Sequence, residues 1–188
     1  KIKTPPAVRT TQKIVKAGDL KDEAWQTAPV ASDFVEWRPS FGRLEAEKNK
    51  TEIRILYDNT AIYISGFCHI PNDSLSSELV GRDKVGSNDF VGVLFDTYND
   101  KINGFGYYVT PLGEQYDAKY SSNREDDSWN SVYETNSKIV AGGWTFEMRI
   151  PYSAIRFSTT KKQDWGLNIA RLNTKNGRQL MWARAATP

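Results

Sequence analysis

Seven consecutive residues, Trp144-Thr145-Phe146-Glu147-Met148-Arg149-Ile150, alternate apolar and polar without a break. A side-chain period of two belongs to a strand and to no helix, so this stretch commits the chain to a sheet with one face buried. Ala141-Gly142-Gly143 supplies a turn in front of it. Pro151, which has no N–H for the ladder, ends it. The same alternation runs through Thr51 to Tyr57, and Ile62, Ile64 and Gly66 line one face of the segment that follows. Asp58-Asn59-Thr60 joins those two segments as a hairpin.

Phe90 to Phe95 and Phe105 to Val109 read as further strands, the second closed by the turn sequence Thr110-Pro111-Leu112-Gly113. Trp165 to Leu172 and Gln179 to Ala183 flank Asn176-Gly177, the dipeptide that most readily takes the positive φ angles of a type I′ turn. Helix is scarce. Leu20 to Trp25 and Tyr152 to Ile155 could each form a turn or two, and neither carries an apolar stripe. The expected fold is all-β, an antiparallel β-sandwich of jelly-roll or immunoglobulin type with one or two short helical turns. With 188 residues, 39% of them hydrophobic, the chain can fill one core. Residues 13–188 are expected to form that single domain, and residues 1–12, with Pro5-Pro6 and basic flanks, a flexible arm.

Several chemistries are poorly served by this sequence. Lys and Arg number 25 against 23 Asp and Glu, with the signs interspersed, whereas a nucleic-acid surface needs clustered basic charge. No apolar run approaches the roughly 20 residues of a membrane-spanning helix, so direct membrane insertion by this domain is not expected. The single cysteine, Cys68, rules out an intrachain disulfide, and the single histidine, His69, rules out a multi-histidine metal site. The two are neighbours on a strand, so they point to opposite faces and cannot act as a nucleophile and its base. Asp117, Asp126, Glu134 and Glu147 are the carboxylates that could form a glycosidase pair. Spacing alone does not bring any two of them together, and catalysis is not expected.

Gly18-Asp19-Leu20-Lys21-Asp22-Glu23-Ala24-Trp25 resembles the opening motif of the family 9 carbohydrate-binding modules, with Ala17 standing where an acidic residue is usual. The resemblance continues in order through Leu56-Tyr57-Asp58-Asn59, Ile62-Tyr63-Ile64, Phe95-Asp96 and Val109-Thr110-Pro111-Leu112-Gly113 with Asp117 beyond. It extends to Gly143-Trp144, Glu147, Ile150-Pro151, Trp165-Gly166-Leu167-Asn168 and Arg171. Arg82-Asp83, Trp129 and Trp182 are similar to a divergent version that precedes an outer-membrane β-barrel in bacterial proteins. That resemblance implies a non-catalytic saccharide-binding domain at the periplasm or outer-membrane surface of a Gram-negative bacterium. It also implies a barrel partner following Pro188, and a structural calcium.

A sugar offers apolar C–H faces and a ring of hydroxyls, so its site wants an accessible aromatic ring and planar polar groups. Trp37 and Trp129, set among polar residues in expected loops, are candidate stacking rings, whereas Trp25 and Trp144 read as core. Family 9 modules clamp a terminal sugar between two tryptophans, and by resemblance Trp182 falls where one such ring is expected. Arg82, Asn168 and Arg171 are the candidate polar partners. Asp96, Asn99 and Asp100 concentrate oxygens at a strand end, as calcium requires, although Asx side chains in such turns also bind their own backbone. Two other readings stand beside this one. The domain could be a protein-interaction module docking on its barrel, or a haem-binding sandwich with axial ligands drawn from His69, Met148 or Met181.

Overall fold

The structure is a computed structural model and describes residues 3–4, 7–122 and 124–183. Two sheets pack face to face. The first has five strands, in the spatial order β1 (Ala7–Arg9), β3 (Thr51–Tyr57), β4 (Ala61–His69), β10 (Gly143–Pro151) and β9 (Glu134–Val140). The second has seven, in the order β2 (Val35–Arg38), β12 (Arg178–Met181), β11 (Gly166–Asn173), β5 (Phe90–Asp96), β6 (Asn103–Val109), β7 (Gln115–Ser121) and β8 (Arg124–Asp126). Neighbouring strands are antiparallel except β1, which runs parallel to β3. The all-β sandwich expected from the alternating segments is what forms.

The core lies between the sheets. Ile53, Ile64, Trp144, Phe146, Met148 and Ile150 of the first sheet meet Val91, Val93, Phe105, Tyr107, Ile169 and Leu180 of the second. Each large side chain so buried contributes about 1.5–3 kcal/mol of hydrophobic stabilisation before the entropy cost. Gly66 continues the row of Ile62 and Ile64 because a Cβ there would come 2.6 Å from Ile53 Cδ1 and strike the Phe146 ring.

Several local expectations are revised. The outer positions of β10 are not solvated: Thr145 and Glu147 are buried, because residues 14–28 fold back over that face and seat Ile14, Ala24, Trp25 and Ala28 on Leu56, Ala61 and Tyr63. Both expected helical turns are single 3₁₀ turns, Glu23–Thr27 and Tyr152–Ala154. The β11–β12 hairpin forms, but not through a type I′ turn. Thr174–Asn176 is a 3₁₀ turn, and only Gly177 takes a positive φ of 65°. Trp37 lies on edge strand β2 and not in a loop, and part of the expected arm, Ala7–Arg9, pairs with β3.

Candidate functional site

The two outer faces of the sandwich differ. Residues 14–28 cover the part of the five-stranded sheet's face around Leu56, Tyr63 and Glu147. The Trp25 indole N–H donates to Glu147 Oε1 at 2.7 Å, the Gly18 N–H donates to Glu147 Oε2, and the Thr145 hydroxyl donates to the Gly18 carbonyl at 2.6 Å. Burial pushes the Glu147 carboxyl above its ordinary range, opposed by those two donors. The opening motif therefore serves as a clasp on the sheet.

The outer face of the seven-stranded sheet keeps Leu94, Asn168, Ala170 and Met181 only half-buried. Val91, Val93 and Phe95 point into the core, so Gly92, Leu94 and Asp96 point outward. Register then sets the rows that cross this face. Asn168, Leu94, Gly106 and Ala118 form one row. Met181, Ala170, Gly92, Tyr108 and Tyr116 form the next. On the other side, Gly166 pairs with Asp96 and Gly104 with Tyr120.

A groove of about 530 Å³ follows the Asp96 end of these rows. Its floor is Leu94, Gly104 and Gly166, its aromatic wall is Tyr120, and Asp96, Lys101, Asn103 and Asn168 bring polar groups to it. Asn168 Oδ1 accepts from the N–H groups of Ile169 and Ala183, and Nδ2 donates to the Ala183 carbonyl at 3.3 Å. The amide has a second N–H, whose nearest partner is the Met181 sulfur at 3.8 Å. Beyond the groove Tyr108 lies over Gly92 and Gly106, its hydroxyl 2.5 Å from that of Tyr120, with Phe90 and Tyr116 packed edge-on against it. Burial raises the pKa of both Tyr108 and Tyr120, so they stay neutral phenols.

The candidates from sequence are scattered by the fold. Asn168 and Asp96 meet in the groove. Arg171 does not reach the surface. It is buried, with Nη1 donating to the Asn49 carbonyl at 2.7 Å and to Thr51 Oγ1 at 2.8 Å, and Nη2 to the His69 carbonyl at 2.7 Å. Trp182 fills core, and Trp129 lies on the inner side of the large sheet, 5.2 Å from Phe105 between ring centroids. Trp37 packs edge-on against Phe41 at the far edge. Trp25, Trp144 and Trp182 are buried, and Trp37, Trp129 and Trp165 are half-buried. Arg82 binds Asp117 at 2.8 Å, the Ser131 carbonyl at 2.8 Å and Gln115, tying two loops to β7.

Of the expected calcium ligands, Asp96 and Asp100 are engaged with the backbone of their own turn. Asp96 accepts from the N–H groups of Asp100 and Lys101, and Asp100 from those of Ile102 and Asn103 and from the Asn103 amide. The bonds from Asn103 hold the Asp100 carboxyl below its usual range. Among the described residues no cluster of three or more His, Cys, Asp or Glu could hold a metal. Cys68 is buried and its thiol is pushed up to about 12 by burial, while His69 on the opposite face stacks on Phe67 and bonds Glu52 at 2.8 Å. Neither His69, Met148 nor Met181 lines the groove or the cavity between the sheets at the Trp165 end.

The residues that sequence reasoning passed over are Tyr120, Lys101, Asn103 and Gly104. A cue was present in Gly104-x-Gly106-x-Tyr108 and Tyr116-x-Ala118-x-Tyr120, where small and aromatic residues alternate on one face.

The sequence pattern that describes the carbohydrate family 9 binding domain-like family matches residues 17–187. No curated protein matches the chain. Among solved structures, a candidate carbohydrate-binding protein of Bacteroides uniformis is similar, with a TM-score of 0.74 and 14% identity, over 97% of this chain and 89% of that one. A family 9 module of Caldicellulosiruptor kristjanssonii in complex with cellotriose has a TM-score of 0.63 and 13% identity, over 95% and 84% of the two chains. A family 9 module of the same organism in complex with glucose has 0.61 and 12%, over 94% and 89%.

Proposed function

The chain belongs to the carbohydrate family 9 binding domain-like family, and on that premise we propose that it is a non-catalytic module that takes a saccharide into the groove on the outer face of its seven-stranded sheet. The observation that carries the reading is the meeting of Tyr120 and Leu94 with Asn103, Lys101, Asp96 and Asn168 on a half-exposed face. A pyranose needs that pairing, with apolar contact for its C–H face and planar polar groups for its hydroxyls. Two structural relatives hold cellotriose and glucose, which makes gluco-configured sugars the first ligands to try. The stacking ring in this reading is a tyrosine, since no tryptophan lines the groove.

Binding is expected in the micromolar to millimolar range, because one ring and a few solvent-competed hydrogen bonds leave a small surplus after ordering costs. Titration calorimetry with glucose, cello-oligosaccharides and a wider glycan panel tests it. Absence of heat with every glycan defeats the proposal, as does binding that Asn168→Ala and Tyr120→Ala leave unchanged.

We place the domain outside the cytoplasm, at the periplasm or outer-membrane surface of a Gram-negative bacterium, beside a β-barrel partner. The support is the likeness of Arg82-Asp83, Trp129 and Trp182 to the barrel-associated version of the family. Fractionation of cells expressing the full-length gene is the check, and a cytoplasmic protein would remove this part of the reading.

A further inference from the structure

A second cavity, of about 490 Å³, opens between the two sheets at one end of the sandwich. It backs onto the groove across β5 and β11, and the two share Phe95 and Leu167. Its chemistry is the opposite of the groove's. Five rings line it, those of Tyr57, Phe95, Tyr152, Phe157 and Trp165, together with Ile55, Ile62 and Leu167. Trp165 meets Phe95 at 5.9 Å and 75° and Phe157 at 5.4 Å and 46°. Tyr152 meets Phe157 at 6.3 Å and 76°. Steeply inclined rings present both edges and faces to whatever lies between them, which suits a flat ring.

The polar groups of Gln163 and Tyr152 at this cavity are already engaged. Gln163 accepts from the Trp165 indole N–H at 3.0 Å and donates to the carbonyls of Ser158 and Thr160 at 2.9 and 2.5 Å. The Tyr152 hydroxyl donates to the Asp58 carbonyl at 2.9 Å. Among the described residues no charged side chain lines the cavity. A free sugar would have to bury its hydroxyls there without partners, and an ion would lose its hydration, so both are poorly matched.

We propose that this cavity is a second binding site, for a small uncharged aromatic molecule of one or two fused rings. Its volume lies within the range of small-molecule pockets, and a lining of rings that offers few polar partners selects against charge and against multiple hydroxyls. The site is independent of the saccharide groove, so either can fail without the other.

The test uses the whole domain, with 2-naphthol as probe and 2-naphthoate as its charged counterpart. Binding is followed by the indole N–H resonance of Trp165, assigned through Trp165→Phe. Ala7 lines the cavity yet is exposed, so Ala7→Trp blocks the mouth without disturbing the core. The expected result is a saturable shift of the Trp165 resonance with 2-naphthol, abolished in Ala7→Trp, and naphthoate binding at least about tenfold weaker because its charge must be desolvated. A crystal soaked with 2-naphthol should show the ring among Tyr57, Phe157 and Trp165. No saturable shift, a shift that persists in a folded Ala7→Trp, or equal affinity for the anion overturns the proposal.

Discussion

The indole N–H of Trp25 donates to the carboxylate of Glu147 at 2.7 Å, joining residues 122 apart in sequence on the outer face of the five-stranded sheet. The same carboxylate takes the Gly18 N–H, so one buried acid holds both ends of the opening motif. Glu147→Leu leaves two buried N–H groups without partners, which is expected to cost about 2–4 kcal/mol. Glu147→Gln retains one acceptor oxygen and should cost roughly half as much. Urea unfolding of the two variants measures this, and a Glu147→Leu protein as stable as the parent would show that the clasp contributes nothing.

That clasp also marks how far the sequence could be read. Alternation in Trp144 to Ile150 identified the strand and its core face, because packing between the sheets obeys the period of two. It could not show that the opposite face is buried as well, since the cover comes from residues 14–28, more than a hundred positions away. For the same reason Arg171 reads as a surface group on an alternating strand, while its real partners, the carbonyls of Asn49 and His69, lie on the turn before β3 and at the end of β4. The sequence offered Asn168 as a polar partner of a sugar and Asp96 as a calcium ligand, and only the pairing of β5 with β11 brings the two to one groove. Tyr120 was not, because its membership depends on the register between β6 and β7.

Asp89 gives the domain a pH-dependent stability. It is buried at the end of β5, one oxygen accepting from the Thr174 N–H at 2.9 Å while the other has no partner among the described residues. Burial raises its pKa to about 6, against the opposing pull of Arg171 and Lys175. The native state therefore holds this proton more tightly than the unfolded chain. The contribution is fully present below the ordinary carboxylate pKa of about 4 and is lost as pH rises through about 6, at most about 3 kcal/mol. Asp89→Asn mimics the protonated form, because it removes the charge while keeping an acceptor for the Thr174 N–H. It should stabilise the protein at pH 7.5 and leave it nearly unchanged at pH 4, as read by thermal melts across that range. A stability gain independent of pH would contradict this.

Arg171 ties the sheets together through a guanidinium with three strong bonds to the opposite sheet and its approach loop. Arg171→Ala strands two carbonyls and a hydroxyl in the interior, and the expected loss is about 3–5 kcal/mol. Arg171→Lys should recover little, since a single ammonium cannot span the fork that reaches Asn49, Thr51 and His69. Guanidinium unfolding separates these cases, and full stability in Arg171→Lys would show that a point charge suffices.

In the groove, Asn168→Ala and Tyr120→Ala are expected to weaken saccharide binding by about 1–2 kcal/mol each, the worth of a hydrogen bond or a ring contact. Trp129→Ala and Trp182→Ala act on the core instead, and should lower stability by about 3–5 kcal/mol with little change in affinity for the protein that remains folded. Calorimetric titrations paired with thermal melts distinguish the two classes. A large affinity loss in Trp129→Ala at unchanged stability would return the stacking role to that tryptophan.

The centre of the large sheet's outer face is closed by a contact between a ring and a missing side chain. Tyr108 lies so near Gly92 that a Cβ there would overlap its ring, and a Cβ at Gly106 would come within 2.8 Å of the same ring. Gly92 is the cross-strand partner of Tyr108, so the phenol folds across its own pair and down onto the bare backbone. Gly92→Ala must push the ring off, at a cost of about 1–3 kcal/mol for overpacking. Tyr108→Ala costs its own burial and the bond to Tyr120. Once the ring is gone, however, alanine at position 92 meets no obstacle, so the double variant Gly92→Ala/Tyr108→Ala should be more stable than the sum of the singles by about 1–3 kcal/mol. Strict additivity in a double-mutant cycle would mean that the ring does not rest on Gly92.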